Sequence, residues 1–238
     1  MSSPHILLVH GAWSDGSAWR KIIPTLLGRG HRVTAVQLPL TSLADDVAAT
    51  QRAVDLAGGP VLLVGHSYGG AVISNAGSAP SVIGLVYVAA FAPDVGEAVG
   101  ELGKDFPPPP GLAELRADAD GFLTMTAAGI AENFAQDLPQ AEVGMLHAVQ
   151  TPTHASAFSA KSSRAAWKTR PCWYVVASED RMIQPRLQRR FAEAMSASTL
   201  TLPASHVPML SHPGEVSEFI DRAARQLRDR QEEKSAAH

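Results

Sequence analysis

The chain has 238 residues, 45% of them hydrophobic and 18% charged; this balance excludes a disordered or fibrous protein and suffices for one buried core. A net charge of −3 and a pI near 6.3 leave no basic surplus for phosphate backbones or anionic membranes, so neither nucleic acid nor a membrane is an expected partner. The single cysteine, Cys172, excludes an internal disulfide and a cysteine-rich metal site, and no metal is expected.

The opening MSSPHILLVHGAW carries no positively charged leader, and its apolar stretch is too short to span a bilayer, which points to a cytoplasmic protein. The apolar run His5 to His10 reads as a first strand, followed by a helix over Ala18 to Leu27. A second run, Arg32 to Val36, precedes a helix over Leu43 to Leu56. The third, Val61 to Gly65, leads into a helix over Tyr68 to Ala76, and Ile83 to Ala89 forms the fourth. Cys172 to Ala177 is a fifth buried run, with the cysteine as packing rather than a reactive thiol. A helix over Arg186 to Met195, the run Thr199 to Leu202 and a helix over Gly214 to Arg228 complete the series. Strands and helices in alternation predict an α/β domain whose sheet is mostly parallel and covered on both faces.

Asp94 to Lys168 breaks this rhythm. It holds the proline run 107–110 and several helix-like pieces, with no convincing buried strand. The expected organisation is a core of residues 1–93 and 169–230, an insertion over 94–168 and a flexible tail over 231–238. The insertion reads as a helical lid over the strand ends, with a packing appendage as the competing reading.

Gly65-His66-Ser67-Tyr68-Gly69 lies where a strand gives way to a helix. A G-x-S-x-G turn needs small residues on either side of a serine held on a tight corner, and it presents the hydroxyl at a helix N-terminus. Ser67 is therefore the expected nucleophile rather than a helix cap. Of nine histidines, His206 is best placed as the base, because the loop 203–213 follows the last strand; His212, in the same loop, is the competitor. Asp180, preferred to Glu179, follows the fifth strand and would orient that base. The backbone N–H groups of Ala12 and Tyr68 form an expected oxyanion hole.

These residues resemble the α/β-hydrolase superfamily, in particular small bacterial esterase-like proteins related to plant methylesterases and hydroxynitrile lyases. The likeness runs through His10-Gly-Ala-Trp13, Gly65-His-Ser-Tyr-Gly-Gly70, Ser178-Glu-Asp180 and Ser205-His-Val-Pro-Met-Leu-Ser-His-Pro213, and hardly touches the insertion. It implies an α/β-hydrolase fold, here with about six strands rather than eight, since the chain begins almost at once with the strand before the oxyanion loop. The S-selective plant lyases have threonine where Gly11 stands and lysine where Val207 stands; both departures favour hydrolysis.

The expected activity is that of a serine carboxylesterase working through an acyl-enzyme, without a cofactor, on a small or medium apolar or aromatic ester. A lyase on the same three residues and a ligand receptor with weak hydrolysis are the alternatives. Trp13, Phe91, Trp167 and Met209 are candidates to line the substrate site, each equally consistent with core packing. A homodimer is left open.

Overall fold

The computed structural model describes residues 3–236. In chain order, β1 (His5–Val9), a 3₁₀ turn (Gly16–Trp19), α1 (Ile23–Gly28), β2 (Val33–Val36), α2 (Leu43–Ala57), β3 (Val61–His66), α3 (Gly69–Ala76) and β4 (Val82–Val88) build the first half of the core. The insertion contributes β5 (Leu115–Ala117), β6 (Phe122–Met125), α4 (Ala127–Gly129), α5 (Gln140–Val149), β7 (Thr153–His154) and α6 (Ser156–Ser159). The core resumes with β8 (Cys172–Ala177), α7 (Pro185–Ala194), β9 (Ser198–Leu202), α8 (Pro208–Ser211) and α9 (Pro213–Ala236).

Six strands form one sheet in the order β2-β1-β3-β4-β8-β9, every neighbouring pair parallel. The central β3 and β8 are buried along their whole length, which accounts for their unbroken apolar sequences. Strand order reverses between β1 and β3. Their carboxyl ends therefore diverge into a crevice, the place where open α/β sheets hold their ligands.

Local chemistry explains most boundaries. Ser42 caps α2 by accepting from the Asp45 N–H, and Gly58 ends it in the left-handed conformation at φ 65°. The expected first helix is split, because Pro24 near the start of α1 sets the helix origin at Ile23. The last helix continues to Ala236 through most of the segment expected to be a flexible tail; residues 237–238 lie outside the described residues.

The insertion is helical only in part. It also carries a three-stranded antiparallel sheet, β5-β6-β7, whose short strands are mostly half-buried or exposed and so lack the apolar runs that mark core strands. No helix among the described residues is long and apolar enough to cross a membrane. Cys172 is buried, and burial pushes its thiol up to about 12.

Candidate active site

Ser67 follows β3 directly, with φ at 53°, a left-handed conformation that a non-glycine residue adopts only where its surroundings enforce it. Its backbone supplies part of that enforcement. The Ser67 N–H donates to Val88 O at 3.2 Å, and its carbonyl accepts from Gly70 and Phe91 at 3.0 and 3.1 Å. The flanking glycines supply the rest: a Cβ on Gly65 would lie 2.7 Å from Gly69 O, and one on Gly69 would lie 2.5 Å from His10 O. The corner can be this tight only because both positions lack side chains.

The structure brings the three residues expected to act together into contact. His206 Nε2 is 2.7 Å from Ser67 Oγ, and His206 Nδ1 is 2.7 Å from Asp180 Oδ2. All three side chains are buried. Asp180 accepts on both oxygens: the N–H groups of Met182 and Ile183 donate to Oδ1 at 2.7 and 3.0 Å, while Gln188 Nε2 donates to Oδ2 at 2.7 Å. A carboxylate so supplied with donors is held in one orientation, turned towards the imidazole. Glu179 is exposed, and His212 instead pairs with Ser211 Oγ at 2.9 Å.

Two further groups hold the histidine loop. His66 turns away from Ser67 and donates from Nε2 to the His206 carbonyl at 2.7 Å. Burial, with the neighbouring His206 next in effect, holds the His66 ring well below the ordinary histidine range, so it stays neutral beside His206. From the insertion, Asp137 Oδ2 accepts the Ser205 N–H at 2.9 Å, and the Phe134 ring packs against His206 with centroids 5.0 Å apart. Gln188 and Asp137 were not legible in the sequence. A polar residue on α7 and an aspartate in a motif-free insertion carry no local signal, and only the assembled fold gives them their partners.

Among the described residues, neither the Ala12 N–H nor the Tyr68 N–H has an acceptor, and Ala12 lines the cavity in front of Ser67. The plane of the peptide carrying the Ala12 N–H is set by its other end: His10 Nδ1 lies 2.9 Å from Gly11 O. Because His10 Nε2 accepts the Leu38 N–H at 3.0 Å, the ring proton is on Nδ1 and is donated to Gly11. Gly11 itself lies against the serine, since a Cβ there would be 2.8 Å from Ser67 Cβ.

The cavity that opens over Ser67 and His206 measures about 280 Å³. Trp13 and Phe91 line it, as expected, and the insertion adds an apolar wall that includes Leu102, Phe106, Leu123 and Phe158. Its polar wall residues are Ser67, His206 and Gln184, and none of the described lining residues is charged. Trp167 does not reach it. Its indole N–H is donated instead to Pro93 O at 3.0 Å, on the segment that follows β4. Met209 is also a correction: α8 turns its side chain into the core, where it is fully buried.

A serine on a left-handed corner between strand and helix, followed along the chain by its aspartate and then its histidine, is an arrangement particular to the α/β hydrolases. The chain belongs to the alpha/beta hydrolase family, whose sequence profile matches residues 6–219. The crystal structure of a pyrethroid hydrolase from Sphingobium faniae is similar over 94% of this chain and 98% of that one, at 25% identity and a TM-score of 0.80. Methylesterase 8 of Arabidopsis thaliana is 33% identical over 109 residues, 40% of either chain. Alpha-hydroxynitrile lyase of the same plant is 35% identical over 105 residues, 38% of this chain and 41% of that one. These relatives are the group the motifs indicated.

Proposed function

We propose that the protein hydrolyses neutral, apolar carboxylic esters through an acyl-enzyme on Ser67. The observation that carries this reading is the unbroken chain of 2.7 Å contacts from Ser67 through His206 to Asp180 at the floor of an apolar cavity. Ser67 Oγ adds to the ester carbonyl while its proton passes to His206 Nε2. Asp180 keeps the other ring nitrogen protonated and stabilises the imidazolium. The carbonyl oxygen, now negative, accepts from the N–H groups of Ala12 and Tyr68. As the tetrahedral adduct collapses, the bond to the alcohol oxygen breaks and His206 returns the proton to it. Water, deprotonated by the same histidine, then attacks the acyl-serine and releases the carboxylic acid. Residues 94–168 act as a cap over this chemistry, since they supply most of one wall.

The Gly11 position supports hydrolysis over cyanohydrin cleavage, because the threonine of the resembling lyases would run into Ser67 here. The direct test is rapid mixing with p-nitrophenyl butyrate, followed by acid quench and mass spectrometry. A burst of phenolate with one butyryl group retained on the peptide containing Ser67 is the expected result. Cyanohydrin cleavage without ester turnover, or binding without either, would replace this reading by the lyase or the receptor.

The charge-free wall makes a second prediction. An ester whose acyl group ends in a carboxylate must bury that charge without a partner, at a cost of several kcal/mol. The kcat/KM for p-nitrophenyl hemisuccinate is therefore expected to fall below that for the butyrate by at least about a hundredfold, roughly 2.7 kcal/mol. Equal values in a side-by-side assay would refute a closed, neutral site.

A further inference from the structure

The peptide that carries the Ala12 N–H is held on one side by His10, but the next peptide is held from the insertion. Trp13 follows Ala12 with φ at 53°, an unusual conformation for so large a residue. Its backbone N–H donates to Oγ1 of Thr153, fully buried on β7, at 3.1 Å across 140 residues of sequence. Its indole N–H donates to Leu123 O at 3.0 Å, on β6, where Leu123 is the pairing partner of Thr153. The Trp13 ring also stacks on Phe158 of α6, with centroids 5.6 Å apart, and Phe158 meets the Tyr68 ring at the same separation.

The residue after Thr153 reaches the second donor by another route. The His154 N–H donates to Leu40 O at 2.9 Å. Leu40, itself at φ 56°, donates its N–H to Asp46 Oδ1 at 2.8 Å, and Asp46 Oδ2 accepts the Tyr68 hydroxyl at 2.7 Å. Two successive residues of one short strand thus engage the segments that carry both free N–H groups.

We infer that Thr153 is a positioning residue for the oxyanion site, and that the insertion sets the geometry of that site as well as covering it. Its hydroxyl takes up the Trp13 N–H and fixes the peptide plane following Ala12. With His10 fixing the plane before it, both backbone angles of Ala12 are constrained, and its N–H stays aimed at the space above Ser67. This inference rests on the esterase reading of the site. Without the hydroxyl, Trp13 keeps its left-handed turn with one fewer restraint, and the buried N–H loses its acceptor.

The test compares wild type with Thr153→Val, Thr153→Ser and Ser67→Ala, using p-nitrophenyl butyrate as substrate and an alkyl trifluoromethyl ketone as inhibitor. The ketone adds to Ser67 Oγ as a hemiketal whose negative oxygen occupies the oxyanion position. Thr153→Val is isosteric and keeps the fold, as a thermal melt will show. It is expected to lower kcat/KM about tenfold and to weaken the ketone by a similar factor, the scale of a misaimed rather than a deleted donor. Thr153→Ser, which keeps the acceptor, restores both values to within about threefold of wild type, because the lone pair rather than the methyl group does the positioning. Wild-type kcat/KM and ketone affinity in Thr153→Val would overturn the inference, as would equal losses in the serine and valine variants. Turnover in wild type that Ser67→Ala leaves intact would overturn the esterase reading and this inference with it.

Discussion

Replacing Ser67 by alanine is expected to reduce ester turnover by about a thousandfold or more while leaving the thermal melting temperature close to that of wild type. Ser67 Oγ is the atom within hydrogen-bonding reach of His206 Nε2, so under the proposed mechanism its loss removes the nucleophile and leaves only binding and the two backbone N–H groups to act on an ester. The backbone of the corner should survive. Its restraints are main-chain hydrogen bonds to Val88, Gly70 and Phe91, none of which involves the hydroxyl, and alanine meets the same conformational demand at φ 53° as serine does. Phenolate release measured beside a circular-dichroism melt decides the matter: retained turnover in a folded variant would place the chemistry elsewhere.

The Asp180→Asn variant should lose about three to four orders of magnitude in kcat, for a reason visible in the donor count. The carboxylate receives two backbone N–H groups on Oδ1 and, on Oδ2, the His206 Nδ1–H together with Gln188 Nε2. An asparagine offers one oxygen. Turned so that this oxygen serves Met182 and Ile183, it points an NH₂ at both Gln188 and His206. The histidine then accepts at Nδ1 and carries its proton on Nε2, where it can no longer take one from Ser67. The opposite flip sets the NH₂ against two backbone donors that cannot move away. Gln188 is held as well, through Oε1 to the Ala177 N–H at 3.0 Å and Nε2 to Ile183 O at 2.8 Å, so it has little freedom to turn. Single-turnover kinetics on the variant will test this; a kcat within tenfold of wild type would mean that Asp180 does not set the tautomer of His206.

Both predictions concern residues that could be picked out before any fold was known, which marks where the sequence was most informative. The six core strands were legible as runs rich in apolar and β-branched residues: β3 and β8, buried along their whole length, are the most apolar, while β2 and β9 at the sheet edges are partly exposed and carry threonine or serine. The serine turn was legible because its steric requirements act over five residues: the glycines, the corner and the helix start are all local. Boundaries differ where a proline sets the start of a helix, as Pro24 does in α1, or where a polar helix such as the end of α9 resembles a loose tail.

The insertion was not legible in this way. Its short, half-exposed strands leave no periodic signal, so neither the small sheet nor its contacts with Trp13 could be anticipated. Trp167 and Met209 show the same limit from the other side. An aromatic or sulfur residue near a motif points into a cavity or away from it according to the distant segment it meets, as Trp167 meets Pro93, and to the way its helix turns, as at Met209.

By itself, then, the sequence determined the class of fold, the strained serine corner and the order of the three residues beneath the cavity, because each follows from periodicity or from sterics between near neighbours. The tertiary structure alone decided that Ser67 and His206, 139 residues apart, meet at 2.7 Å. It decided too that Gln188 fastens the aspartate, that the cavity wall carries no charge, and that Thr153 takes up the Trp13 N–H. Such contacts form only when the sheet assembles and the insertion folds back across its carboxyl ends. Their partners are then chosen by geometry between distant segments, about which local sequence carries no information.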